Sequence, residues 1–325
     1  MTMKLIFYNV SEEERPFIQK WSFVNQIPVQ MVAEGISSEN IALVKGCDGI
    51  CLYPSVEMRQ NETIYKRLSD YGIRQLSIKS TGVDGVNFDW ATKYKLTVTN
   101  VPGYSPTSVG HFAIMSIMLL LRNVPTLTHE STQRKTAIGR ELQDVTVGVL
   151  GTGRIGCVVA EGIHALGGHV LASSSRQNPQ LNGIARYVSF EELVKQSDVL
   201  SIHIPLNDRS LYQFSEEVFA MMKPNACLVN TARGKIIDTN AMVAWLASGK
   251  AGGVALDAIE NEEKYFNDDW KKNPFYTQLS QFPNVFLTPH IAFHTELAVK
   301  EITETALNNA KEILQKGESM NKISV

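Results

Sequence analysis

Three apolar runs late in the chain each lead into a residue that can do chemistry. "ACLVNTARG" ends at Arg233, "GVALDAIENEE" passes Asp257 into the acids Glu260, Glu262 and Glu263, and "NVFLTPH" ends at His290. A guanidinium grips a carboxylate through two parallel hydrogen bonds. An imidazolium gives a proton to an alcohol oxygen and takes it back, and a carboxylate beside the imidazole orients it and favours its charged form. Taken singly, each residue has a duller use: an arginine before glycine caps a turn, and a histidine after Thr-Pro packs. Three such ends on successive runs point instead to one crevice in which a small carboxylic acid is oxidised or reduced. His290 and His294 are four apart, like two metal ligands on a helix face. Pro289 interrupts any helix there and no HExxH glutamate accompanies them, so no metal is expected.

The redox partner is written upstream. "VTVGVLGTGRIG" sets Gly151, Gly153 and Gly156 in G-x-G-x-x-G spacing, after an apolar run and before a helix expected to start near Arg154 and Ile155. The first glycine permits a tight turn, the second lets backbone N–H groups approach a pyrophosphate, and the third lets helix and strand pack closely. The motif predicts a dinucleotide, NAD(H) or NADP(H). About 20 residues further on, NAD-specific sites carry an acid that binds the ribose 2′-hydroxyl and repels a 2′-phosphate. Here the run ends in Ser173, Ser174, Ser175 and Arg176. Hydroxyls and a guanidinium can hold a phosphate, so the stretch predicts acceptance of NADP(H). The competing reading has the serines capping the next turn and Arg176 in water.

These residues need a scaffold that presents strand ends. Runs rich in Val, Ile and Leu ("KLIFYNV", "GICLYP", "RQLSIKS", "LTVTN", "VTVGVLG", "HVLAS", "DVLSIHIP", "ACLVNTA", "GVALD", "NVFLTPH") alternate with amphipathic stretches. That is the pattern of an α/β protein with parallel sheets covered by helices. A chain of 325 residues suits two domains. The turn-rich "VPGYSPTSVGH" marks a break after Pro102, followed by a long apolar helix from about Val109 and further helix before Asp144. The last helix has no strand after it and is expected to pack back on the first domain. Residues 1–102 and 296–325 then form one discontinuous domain around an inserted dinucleotide-binding domain, 103–295. Composition gives 44% hydrophobic and 20% charged residues and a net charge of -2, which provides no electrostatic reason for a nucleic-acid or membrane partner. "HFAIMSIMLLL" is too short to span a bilayer. The four cysteines lack CxxC pairing and are expected to be buried thiols, and nothing at the start reads as a signal peptide, so a cytoplasmic protein is expected.

The segments "STGVDGVN", "TNVPGYSP", "VGVLGTGRIG", "SDVLSIHIPL", "MKPNACLVNTARGKIIDT", "GGVALDAIENEEKYFNDDW" and "PNVFLTPHIAFHT" run in the order found in the D-isomer-specific 2-hydroxyacid dehydrogenases. The chain resembles that family from about residue 76 to 300, and within it the D-lactate and D-2-hydroxyisocaproate dehydrogenases and their vancomycin-resistance relatives. The resemblance implies two Rossmann-like or flavodoxin-like domains that close on each other about hinges near Pro102 and Thr295. It makes Arg233 the binder of the 2-keto acid carboxylate, His290 the acid and base, and Glu262, in preference to its neighbours Glu260 and Glu263, the carboxylate paired with His290. It also implies a substrate loop at Thr81, Gly82 and Val83 working through backbone N–H groups, Tyr104 and Tyr53 near the substrate, and Asp257 as a supporting carboxylate near the nicotinamide and His290. His203, Pro205, Thr231 and Ala232 fall along the cofactor, and a homodimer is implied. Departures are Gly110, where many lactate enzymes carry an acid, and Ser174, where much of the family carries Asp. Other readings are a glyoxylate, hydroxypyruvate or phosphoglycerate reductase, for which Lys79 is the one basic residue near the loop, and a dinucleotide-sensing corepressor-like protein.

Overall fold

Runs of β-branched and aliphatic residues separated by helices can be buried on both faces only in parallel sheets, and the computed structural model shows two of them. It describes residues 3–83, 85–129, 138–265 and 269–323. The chain divides into two units, Met1–Ser105 with His294–Val325, and Pro106–Phe293.

In the first unit, β1 (Leu5–Phe7), β2 (Val29–Met31), β3 (Gly49–Leu52), β4 (Gln75–Ile78) and β5 (Thr97–Thr99) pair in the order β2-β1-β3-β4-β5, all parallel. This is the flavodoxin-like arrangement. Ile6, Ile50, Leu52, Leu76 and Ile78 build its core with Ile64, Tyr65 and Leu68 from the helix Glu62–Asp70. The C-terminal helix Glu296–Lys316 belongs to this unit. Thr295 caps its start by accepting from the Ala298 N–H, and Gly317, in the left-handed region at φ 75°, ends it. The Ala306 carbonyl on its buried face accepts from Ser77 Oγ at 2.7 Å, which ties the helix to β4.

Just past β4, the Lys79 ammonium donates to both Glu14 carboxylate oxygens, at 2.8 and 2.7 Å, and to the Asn9 carbonyl at 2.5 Å. Both side chains of the ion pair are 9% exposed. Burial pushes the Lys79 pKa down, although the charge and hydrogen bonds of Glu14 oppose it. The pair joins the chain leaving β1 to the start of the Thr81–Val83 loop.

In the second unit, β6 (Thr146–Leu150), β7 (His169–Ser173), β8 (Ala185–Tyr187), β9 (Val199–Ile202), β10 (Ala226–Asn230), β11 (Ala251–Leu256) and β12 (Val285–Leu287) form one parallel sheet, ordered β12-β11-β10-β9-β6-β7-β8. The chain runs outward in both directions from β6 and β9, and ligands bind beyond the carboxyl ends of the strands at such a switch point. The apolar helix Pro106–Leu121 begins somewhat earlier than its hydrophobic run suggests. The helix Val124–His129 lies within the region expected to be helical before Asp144, whose part at 130–137 falls outside the described residues. All four cysteines are free and buried, and no described helix is long and apolar enough to cross a membrane.

Replacing Lys79 by Met leaves the Glu14 carboxylate buried without its partner and should cost about 3–5 kcal/mol. The double variant Lys79→Met/Glu14→Leu should recover most of that loss. Urea midpoints at unchanged m-value check this, and equal losses in the single and double variants would show that the pair does not act as a unit.

Candidate active site

Strands β10, β11 and β12 are consecutive neighbours in the second sheet, so the segments leaving their carboxyl ends lie side by side. They deliver Arg233, Asp257 with Glu262, and His290.

Asp257 follows β11 and is 3% exposed. Its Oδ1 accepts from Thr288 Oγ1 at 2.6 Å and from the Ile291 N–H at 2.8 Å, and its Oδ2 accepts from the Ala292 N–H at 2.8 Å. One carboxylate therefore holds the chain on both sides of His290. His290 itself has φ 55°, in the left-handed region that a residue with a Cβ enters at a cost of about 1–2 kcal/mol. Both Asp257 oxygens are occupied by this loop, so the carboxylate supports His290, as expected, by fixing the loop that carries it.

His290 Nδ1 lies 2.9 Å from Glu262 Oε1, with side-chain exposures of 26% and 12%. Asn261, left-handed at φ 61°, turns the chain into the short 3-10 helix Glu262–Lys264, and Glu262 Oε2 accepts from the Ile259 N–H at 3.3 Å. The neighbouring acids are engaged elsewhere. Glu260 is buried and accepts from the Tyr212 hydroxyl at 2.8 Å and the Thr239 N–H at 3.3 Å, and Glu263 lies 3.7 Å from Lys235. Of the three acids, Glu262 is the one on the imidazole. Burial alone would lower the His290 pKa, and the Arg233 charge works in the same direction. The charge and hydrogen bond of Glu262, with the charge of Asp257, outweigh both and raise it above 6.5.

Arg233 stands at a turn built by Asn230, the last residue of β10. The Asn230 side chain accepts from the Ala232 N–H and donates to the Arg233 carbonyl, each at 2.9 Å. Arg233 Nη1 donates to the Ala232 carbonyl at 2.8 Å. The next residue must be glycine, because a Cβ on Gly234 would overlap the backbone of Ile259 and Glu260. That close approach locks the Arg233 turn against the segment carrying Glu262.

At the switch point, β6 runs into Gly151 at φ 93°, whose missing Cβ would meet the His203 carbonyl oxygen at 2.6 Å. The helix Arg154–Ala165 starts at Gly153, where the space a Cβ would fill is open. Thr231 Oγ1 is buried with no hydrogen-bond partner among the described residues. An open helix N-terminus and an orphaned hydroxyl past the end of β10, two strands away in the same sheet, fit a dinucleotide. Burial holds His203 neutral, its pKa lowered to about 4, and its ring Nε2 lies 2.8 Å from Ser201 Oγ. The Pro205 carbonyl accepts from Ser210 Oγ at 2.7 Å. Ser173 and Ser174 are half-buried, and Ser175 and Arg176 are exposed.

The remaining expected residues lie in the first unit. In the Ser80–Val86 loop, the Thr81, Gly82 and Val83 carbonyls accept from the Asn100 side chain (2.8 Å), Ser80 Oγ (2.6 Å) and the Val86 N–H (2.9 Å). Among the described residues no acceptor faces the Gly82 and Val83 N–H groups. Tyr53 is 37% exposed and Tyr104 is half-buried. Sequence reasoning did not single out Asn230, Gly234 or Thr288. The asparagine at a strand end followed by Thr-Ala was a readable Asx-turn signal, whereas the Gly234 and Thr288 contacts are long-range and had none.

Residues 114–292 match the family model for the D-isomer specific 2-hydroxyacid dehydrogenase NAD binding domain. The chain is 33% identical to a D-lactate/D-glycerate dehydrogenase of Pediococcus acidilactici, over 99% of each chain. It is 33% identical to a D-2-hydroxyacid dehydrogenase (NAD(+)) of Clostridioides difficile, over 99% of this chain and 100% of that one. The NAD-complexed crystal structure of a D-isomer specific 2-hydroxyacid dehydrogenase from Lactobacillus delbrueckii ssp. bulgaricus superimposes with a TM-score of 0.86 at 32% identity. That match covers 99% of this chain and 100% of the other.

The Glu262–His290 contact predicts a titration. Because the folded pKa of His290 is raised, its stabilising contribution is complete below about 6.5 and is lost as pH rises through the folded value. An NMR titration should place His290 above 6.5 in the native protein and lower in Glu262→Gln, where burial and Arg233 act with less opposition. An unshifted His290 in the variant would contradict the assignment.

Proposed function

The chain belongs to the D-isomer-specific 2-hydroxyacid dehydrogenases, and from that premise we propose that it interconverts pyruvate, or a bulkier 2-keto acid, with the D-2-hydroxy acid using NAD(H). The observation that carries this reading is the Glu262–His290 hydrogen bond, with Arg233 delivered from an adjacent strand end, in the same sheet as a dinucleotide turn. The bound coenzyme supplies or accepts the hydride. Gly151, Gly153 and the start of the helix Arg154–Ala165 are the residues suited to its pyrophosphate.

This chain's residues bind, orient and move the proton. The Arg233 guanidinium takes the substrate carboxylate and aligns the carbonyl, a charge-assisted contact that also fixes direction. Glu262 holds His290 through Nδ1 and keeps it protonated, so that Nε2 delivers the proton to the carbonyl oxygen during reduction and removes it from the hydroxyl during oxidation. In the first unit, the N–H groups of Gly82 and Val83 are proposed to bind a carboxylate. Lys79, the one basic side chain of that stretch, is committed to Glu14, which favours substrates without a phosphate ester.

Two finer points belong to the same proposal. NADP(H) is accepted alongside NAD(H), because no carboxylate stands at Ser174 to repel a 2′-phosphate and Arg176 can pair with one. The enzyme is a cytoplasmic homodimer, as the family resemblance implies. Sedimentation at the mass of a single chain would refute the dimer.

The test is steady-state reduction of pyruvate, 2-ketoisocaproate, phenylpyruvate and hydroxypyruvate with NADH and with NADPH. Turnover of the non-phosphorylated keto acids with NADH, and measurable kcat/KM with NADPH, are expected. Turnover with NADH alone would remove the NADP proposal, and no turnover with either coenzyme would favour a dinucleotide-sensing protein. Arg233→Lys should lower kcat/KM by about 100-fold, because an ammonium cannot reproduce the two-point contact. Normal kinetics in that variant would refute the role of Arg233.

A further inference from the structure

Thr152 fills the variable position between the first two glycines of the dinucleotide turn, where the motif asks for no particular side chain, yet it is 5% exposed and fully engaged. Its Oγ1 donates to the Arg176 carbonyl at 3.3 Å and accepts from the Tyr187 hydroxyl at 2.9 Å. The same Tyr187 hydroxyl, at the end of β8, accepts from the Asn178 N–H at 2.8 Å. The Asn178 side-chain amide donates to the Thr152 carbonyl at 3.5 Å and lies 3.0 Å from Cys157 Sγ, and the Cys157 thiol reaches the same carbonyl at 3.4 Å. The segment after β7 that carries Ser174, Ser175 and Arg176 is thus fastened at Arg176 and Asn178, and both fastenings run through Thr152 and Tyr187.

We propose that Thr152, Tyr187 and Asn178 are positioning residues that hold the Ser174–Arg176 segment against the pyrophosphate turn, so that coenzyme affinity depends on them although none is catalytic. This rests on the nicotinamide-coenzyme reading of the second unit. Ser175 and Arg176 are exposed, and an exposed segment left loose must be ordered when a ligand binds, which weakens the ligand. Anchoring it to the turn at Arg176 and, just beyond, at Asn178 settles that ordering in advance. The anchors are hydroxyl hydrogen bonds in a buried setting, and removing one leaves a partner unsatisfied.

The experiment measures Kd for NADH and for ADP-ribose by calorimetry, alongside steady-state kinetics and thermal melts, in Tyr187→Phe, Thr152→Val and Thr152→Ser. Tyr187→Phe and Thr152→Val should weaken both ligands by about 5- to 10-fold, the range expected for one net hydrogen bond. Thr152→Ser, which keeps the hydroxyl, should bind within about twofold of the native protein, and at saturating NADH all three variants should keep kcat and the keto-acid KM. Equal losses in Thr152→Ser and Thr152→Val, unchanged Kd in both Tyr187→Phe and Thr152→Val, or a keto-acid KM that moves with Kd would each overturn the proposal. If Tyr187→Phe does not fold, the two Thr152 variants decide. Failure of the native protein to bind NADH would instead overturn the coenzyme reading.

Discussion

The loop that carries His290 in the second unit depends on one buried carboxylate. Asp257 takes two backbone N–H groups and a threonine hydroxyl from the segment that carries His290, and so holds a left-handed backbone that most non-glycine residues avoid. A left-handed residue costs about 1–2 kcal/mol, while each hydrogen bond to a charged acceptor contributes about 1.5–3 kcal/mol, so the constraint wins comfortably. On that fixed backbone, Glu262 meets the imidazole at Nδ1. Asp257 also adds its charge to that of Glu262 in favouring the imidazolium. The carboxylate that shapes the loop and the carboxylate that charges the ring are different residues on the same strand end.

The sheet supplies the rest. Because β10, β11 and β12 are adjacent and parallel, three loops that are distant in sequence leave the same edge in the same direction, and only short-range devices are needed to finish the site. Asn230 shapes the Arg233 turn, Asn261 reverses the chain before Glu262, and the bare Cα of Gly234 allows the first turn to pack on the second. At the switch between β6 and β9, the same economy places the glycine turn beside the His203 carbonyl.

Much of this was legible in the sequence because the signals are local. Apolar runs announced the long central strands, the glycine spacing announced the nucleotide turn, and polar residues following apolar runs pointed to Arg233, His290 and a cluster of acids, from which the family resemblance singled out Glu262. Two strands were not foreseen, β2 and β8. Each is three residues long, at a sheet edge and only partly buried, so neither has the hydrophobic signature of a strand. The hydrogen bonds by which Asp257 supports the His290 loop were not legible for a different reason: its partners are 31 to 35 residues away, and no local pattern says which loop a carboxylate will hold. Lys79 is the one basic residue near the substrate loop, and its partner Glu14, 65 residues earlier, had no local signal.

The central claim is that Glu262 keeps His290 protonated so that it can give its proton to the substrate. The most direct measurement is the pH dependence of kcat/KM for pyruvate reduction and for D-lactate oxidation, in the native enzyme and in Glu262→Gln. The account predicts that reduction falls about tenfold per pH unit above a pKa higher than 6.5 while oxidation rises through the same value, with both limbs displaced to lower pH in the variant. Profiles that are flat across this range, or limbs that stay in place when Glu262 is changed, would contradict it.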